Sequence, residues 1–293
     1  MRNYILMVVL ALTLCPLYLT AQNTEKKVSL RPDALKVADF IVDCNNIRSG
    51  NRPVYIKNGI VVPTKHLLFK GGKKSSVITL MNEEYTVTKT NSSSISLSFA
   101  GHTVNIRKNR YGFGMQLLPL PDQRKYVIAF PYVTGRGSTS LVYYRSGCVQ
   151  RGRLGRESIR VYDSNIDGLY TKEDSFQIDN SFVFAPLTGN IATSAAVYAL
   201  QSIEKDGSSL SVKKHTGDTG EIKGKFSTRF VDVHAAFQSK KADLAFVLSS
   251  RNSAVKVIPG AYTLLNGVAY SSKYRQPVAG VVAGDFGKAV VEK

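Results

Sequence analysis

The strongest constraint on this chain is the period of its apolar residues, which alternate with polar ones in short runs cut by Gly, Pro, Asn and Asp. Tyr85-Thr86-Val87-Thr88-Lys89 and Ile95-Ser96-Leu97-Ser98-Phe99 are such runs. A two-residue period puts one face of a strand in a core and the other in water. Ala100-Gly101 followed by Val104-Asn105-Ile106-Arg107 reads as the return strand of a hairpin. Lys125 to Phe130, Ser140 to Tyr144, Ala195 to Ile203 and Ala242 to Leu248 are further strands. Lys205-Asp206-Gly207-Ser208 is a turn into Leu210-Ser211-Val212-Lys213, because Asp-Gly suits a hairpin's left-handed backbone. Val255 to Ile258 and Ala261 to Leu265, separated by Pro259-Gly260, read as another hairpin.

Helical evidence is confined to Leu30 to Val42, where Leu30, Ala34, Leu35, Ala38 and Ile41 share one helical face and Pro32 suits a first turn. A strand at Asp39 to Asp43 competes with that reading. Many short strands with 43% apolar residues imply an all-β chain of two β-sandwich-like units joined by a distinct segment. The expected organisation is an N-terminal β-rich domain over residues 22–156, an acidic segment over 157–180 and a C-terminal sandwich over 181–293.

Arg2 ahead of the apolar run from Tyr4 to Leu19, then Thr20-Ala21, reads as a secretory signal over residues 1–21. The expected location is therefore the periplasm, the cell surface or the medium. No later stretch reaches the roughly 20 apolar residues of a membrane helix, so no span is expected in the mature chain. Removing the signal takes Cys15 with it and leaves Cys44 and Cys148, for which one disulfide is the simplest account in an oxidising compartment. Two buried free thiols are the alternative.

The segment Asp163-Ser164-Asn165-Ile166-Asp167-Gly168-Leu169-Tyr170-Thr171-Lys172-Glu173-Asp174 has the spacing of a twelve-residue calcium loop. Ca²⁺ takes six to eight oxygens, and such a loop offers them from positions 1, 3, 5, 7, 9 and 12. Here those are Asp163, Asn165, Asp167, the Leu169 carbonyl, Thr171 and Asp174, with Gly168 at the sharp turn. These twelve residues resemble the loops of EF-hand and dockerin-type modules, and the resemblance implies a bound calcium ion. Ile159-Arg160-Val161-Tyr162 and Phe176-Gln177-Ile178 read as strands where an EF-hand has helices, so the ion's expected role is structural. The wider stretch to Lys223 resembles parts of exported bacterial proteins of unknown function.

Residues 157–179 hold six acids and two bases in a chain of 39 Lys plus Arg against 21 Asp plus Glu. The acidic knot therefore stands out from a strongly basic remainder. The bases gather at Lys70, Lys73 and Lys74, at Arg107, Lys108 and Arg110, and at Arg151, Arg153 and Arg156. A solvated face is the default reading of such clusters; the functional reading is an anionic polymer or glycan at the cell surface, such as lipopolysaccharide, wall polymer or acidic glycan, with Tyr143 and Tyr144 as stacking surfaces. Phosphate attraction alone would also admit nucleic acid, but export and the lack of a nucleic-acid-binding motif argue against it.

No Gly-x-Ser-x-Gly, His-Glu-x-x-His or Gly-x-x-x-x-Gly-Lys motif is present, and His66, His102, His215 and His234 are scattered. Ser146-Gly147-Cys148 is faintly similar to the catalytic stretch of L,D-transpeptidases, which implies a cysteine nucleophile, but the spacing differs and the upstream His-Gly is missing. The expected function is a noncatalytic, calcium-stabilised binder at the cell envelope. The alternative is an exported enzyme acting on cell wall or polysaccharide.

Overall fold

The computed structural model describes residues 25–32, 55–57, 60–62, 65–69, 75–91, 94–109, 112–134, 140–179, 181, 183–224, 231–250, 253–271, 276–282 and 289–291. These residues are all-β, and no helix among them is long and apolar enough to cross a membrane. The signal segment, Cys44, the Lys70–Lys74 cluster, Arg110 and residues 33–43 lie outside the described residues.

One core is a sandwich. A five-stranded sheet runs in the order Gly112–Phe113, His102–Asn109, Ser94–Phe99, Glu83–Lys89, Ser75–Leu80. It faces a four-stranded sheet of Met115–Pro119, Lys125–Thr134, Ser140–Ser146 and Lys65–Phe69. Ile78, Leu80, Val87, Ile95 and Leu97 pack there against Leu118, Ile128, Phe130 and Val142. The alternation read from the sequence explains this: Tyr85 and Val87 are buried while Thr86 and Thr88 are not. The expected hairpin is present, with Phe99 opposite His102 and Leu97 opposite Val104. Its two turn residues, Ala100 and Gly101, have φ of 45° and 76°. Two left-handed residues match the twist of the flanking strands.

A second core lies between a five-stranded sheet and a nine-stranded one. The former orders Ala185–Pro186, Ser175–Ile178, Glu157–Tyr162, Val149–Leu154 and Arg31–Pro32. The latter begins Lys26–Ser29, Ser209–Lys214, Val197–Ile203, Asn190–Ala192, Leu244–Ser249, Val231–Ser239. Val28, Leu154, Ile159, Val161, Phe176 and Ile178 meet Ile191, Leu200, Leu210, Val212 and Val247 in this core. Lys26–Ser29 pairs antiparallel with Ser209–Lys214, so segments far apart in sequence share one sheet. Leu244–Ser249 is buried along its whole length, its opposite face covered by Val255, Val257 and Tyr262. That double burial is why its sequence reads as a continuous apolar run.

Two local expectations are corrected. The helical start at Leu30–Pro32 is instead extended backbone, with Arg31 opposite Arg151 and Pro32 opposite Gln150. Pro is tolerated there because it sits in an edge strand and needs no ladder donor. Ala254–Val257 and Gly260–Ser271 are strands but not a hairpin. The first pairs with Gly220–Lys223 and the second with Val231–Ser239. Apolar residues of both strands lie in one core, so burial favours spreading them over two sheets.

The Lys205–Ser208 turn has its expected form, with Ile203 opposite Leu210 and Gly207 at φ of 75°. A Cβ on Gly207 would lie 2.5 Å from the Tyr170 ring and 2.7 Å from Gln150. Gly207→Ala should therefore cost about 1–3 kcal/mol through left-handed strain and overpacking. Denaturant unfolding checks this: the midpoint should fall, whereas Gly101→Ala, whose added Cβ meets nothing within 4 Å, should lose only what its left-handed backbone costs.

Candidate metal centre

The twelve-residue loop joins two neighbouring antiparallel strands. Tyr162 and Ser175 face each other as the last rung, so Asp163 and Asp174 leave the sheet side by side. Both flanking segments are strands, as their alternation implied.

Both end carboxylates are fully buried, at 0% exposure. Asp163 Oδ1 accepts from the amides of Ile166 at 2.8 Å and Asp167 at 3.3 Å. Its Oδ2 accepts from the Gly168 amide at 3.1 Å and the Tyr126 hydroxyl at 2.6 Å. Four donors fill the four acceptor sites of a carboxylate, so Asp163 is the frame of the loop. Ile166 and Gly168, at φ of 57° and 87°, make the turns that aim those amides inward. Asp174 accepts from the Ser164 amide at 2.8 Å and the Thr171 amide at 2.9 Å. Asp167 accepts from the Leu169 amide at 2.8 Å and the Asn165 side-chain amide at 2.9 Å. The Thr171 hydroxyl accepts from the Glu173 amide.

The loop also ties the two cores together. Ile166 is buried in the sandwich core, and Tyr170, four residues on, in the second core. On the sandwich side the Met81 amide donates to the Asp167 carbonyl at 2.7 Å and Arg124 Nη2 to the Gly168 carbonyl at 3.0 Å. On the other side the Tyr170 amide donates to the Lys205 carbonyl at 2.9 Å and the Leu187 amide to the Asp174 carbonyl at 2.7 Å. Tyr126, Arg124 and Met81 carry no signal in the sequence, because they stand far from the loop along the chain. The apolar Ile166 and Tyr170 inside a polar loop were the available signal.

Electrostatics make the loop short of positive charge. Burial pushes the Asp163 carboxyl up to about 6 against the lowering effect of its Tyr126 bond. Burial, then the charge of Asp163, pushes Asp174 up to about 7. Each group therefore favours neutralisation by a proton or a cation.

Among the described residues no three His, Cys, Asp or Glu side chains converge as a metal-holding group. The oxygens suited to a hard cation are of mixed kind. Asn165 Oδ1 is buried without a hydrogen-bond partner among the described residues, and Asp167 and Asp174 retain lone pairs in the same loop. Asn165, Asp167 and Asp174 carry the side-chain oxygens still open to a hard cation, whereas Asp163 is already saturated, chiefly by the amides of Ile166, Asp167 and Gly168.

The expected disulfide is absent among the described residues: Cys148 carries a free thiol, which accepts from the Val127 amide at 3.2 Å. Burial pushes it up to about 11, far from the thiolate that a nucleophilic cysteine requires. Tyr144 is buried in the sandwich core and offers no stacking surface. Glu157, buried beside the second core, is bonded to the amide and hydroxyl of Ser194.

No family model, no curated protein and no solved structure matches this chain.

The raised carboxyls set a pH dependence for the metal-free protein. Asp163 and Asp174 hold protons more tightly folded than unfolded, so their contribution to stability is full below the ordinary carboxylate range and lost as pH rises through about 6 and 7. With chelator present, the thermal midpoint should therefore rise on acidification from pH 7.5 to 5. Each tenfold gain in proton affinity on folding is worth about 1.4 kcal/mol. Asp174→Asn should flatten the rise, and an unchanged slope in that variant would remove Asp174 as its source.

Proposed function

We propose that this is an exported, noncatalytic β protein whose acidic loop takes a structural calcium ion and whose basic surface binds an anionic polymer or glycan at the cell envelope. The observation that carries the reading is the joint itself. One short loop, buried at both ends, ties two cores and holds two carboxylates, neither bonded to a neutralising side chain among the described residues. A divalent cation there would relieve the mutual repulsion of Asp163 and Asp174 and tighten the junction. Calcium supplies charge and oxygen coordination only. This chain's residues do the rest, with Asp163 shaping the loop and Asn165, Asp167 and Asp174 offering the side-chain oxygens.

Export suits such a site, since extracellular modules bind calcium at about 10⁻⁴–10⁻³ M where the ion is plentiful. The signal-like segment belongs to the same reading, in which Cys148 stays a free thiol. Segregation of charge supports the binding role: the acids gather in the loop, while Lys26, Lys27, Arg31, Arg151, Arg153 and Arg156 line one exposed cleft. The high affinity of Cys148 for its proton speaks against the cysteine-enzyme alternative.

Isothermal titration with calcium chloride is the test. One equivalent should bind, and calcium at 100 times its dissociation constant should add about 2.7 kcal/mol to stability. Asn165→Ala and Asp167→Asn should abolish both effects while unfolding normally in chelator. No calcium stabilisation of the native protein would overturn the metal reading.

A further inference from the structure

The cleft is assembled from two segments distant in sequence. Lys26–Ser29 and the residues that follow it lie against the strand Val149–Leu154, and Arg31 is directly opposite Arg151. Gly152 makes that approach: a Cβ there would stand 2.6 Å from Leu30 Cδ2 and 2.7 Å from the Ser29 carbonyl. A larger residue would push the first segment, and its cations, away from Arg151 and Arg153.

Arg151 and Arg153 flank Gly152 on the exposed face of one strand, about 7 Å apart by the two-residue rise. Arg156 follows at the exposed turn, and Lys26, Lys27 and Arg31 form the facing side. The space between measures about 750 Å³. Arg151 Nε donates to the Ser158 hydroxyl at 3.1 Å, and Arg153 Nη2 to the Arg156 carbonyl at 3.4 Å. Both contacts orient a guanidinium without cancelling its charge. Asp179 is the carboxylate lining the cleft, and it accepts from the Ser158 amide at 2.7 Å.

Six cations around one carboxylate, among the described residues of a solvent-open cleft, attract anions strongly. Four of the six are arginines, whose planar forks engage oxyanions in pairs. Like charges repeated along a strand match a linear ligand bearing an oxyanion at regular intervals better than a single small anion. We infer that the cleft between residues 26–31 and 151–158 is the binding site of a linear glycan carrying sulfate or phosphate esters. This rests on the anionic-surface reading above and deepens it by naming the site and the ligand's chemistry.

Fluorescence anisotropy with the purified protein tests it, using a labelled sulfated dodecasaccharide, a phosphorylated glycan of similar length, the uncharged parent glycan and single-stranded DNA. The sulfated or phosphorylated glycan should bind, at least tenfold more weakly at about 200 mM than at about 50 mM salt, and the uncharged glycan should not. Comparing the two charged glycans tells which ester is preferred. Arg151→Glu with Arg153→Glu should lower affinity at least thirtyfold, and so, more mildly, should Arg156→Glu, which touches only an exposed turn. Lys240→Glu with Lys241→Glu, an equal charge change at another turn, should leave affinity within threefold.

Equal losses in the cleft and control variants would overturn the site while leaving anionic binding intact. Lack of binding to every anionic probe would overturn the anionic-surface reading itself. Tighter binding of DNA than of either charged glycan would overturn the ligand class.

Discussion

Two carboxylates held out of water inside one loop set the terms on which this chain packs. Asp163 and Asp174 sit side by side at the end of a strand pair, fully buried and bonded to backbone amides. A buried carboxylate is tolerable only when hydrogen-bonded and, ideally, neutralised. The amides solve the first problem. The second is left open, and burial raises the affinity of both groups for a proton.

That charge problem sits at a mechanical junction. Ile166 enters one core and Tyr170 the other, so the loop's conformation sets how the two packed bodies are joined. The Tyr126 hydroxyl bonds the same carboxylate that organises Ile166, Asp167 and Gly168. Neutralising the loop therefore acts on the joint between cores as well as on the loop itself. The arginine row of the basic cleft lies on the strand paired with the one that leads into the loop, so acid and base occupy one sheet on separate surfaces.

Much of the fold was legible because period-two burial is a local signal. The Ile95–Phe99 and Val104–Arg107 hairpin, the Asp206-Gly207 turn and the strands on either side of the acidic loop all followed from alternation and turn chemistry. What local pattern could not carry was pairing at a distance. The union of Lys26–Ser29 with Ser209–Lys214 leaves no mark within either segment, and neither does the divergence of the strands flanking Pro259. The site divides in the same way. The loop's turn glycine and its clustered polar side chains were readable from spacing, but the saturation of Asp163 was not, since Tyr126 arrives from another sheet. Likewise the triplet of arginines at 151, 153 and 156 was visible, whereas its facing wall depends on Gly152 admitting the first strand.

Carboxyl ¹³C NMR from acid to mildly alkaline pH, with Asp163 and Asp174 assigned through their Asn variants, is the decisive measurement. In chelator the two groups should titrate near about 6 and about 7. Saturating calcium should move the Asp174 midpoint down sharply, because the cation replaces the proton as the neutralising charge. Midpoints in the ordinary carboxylate range without calcium would contradict this picture, for the loop would then hold its charges comfortably and need neither proton nor metal.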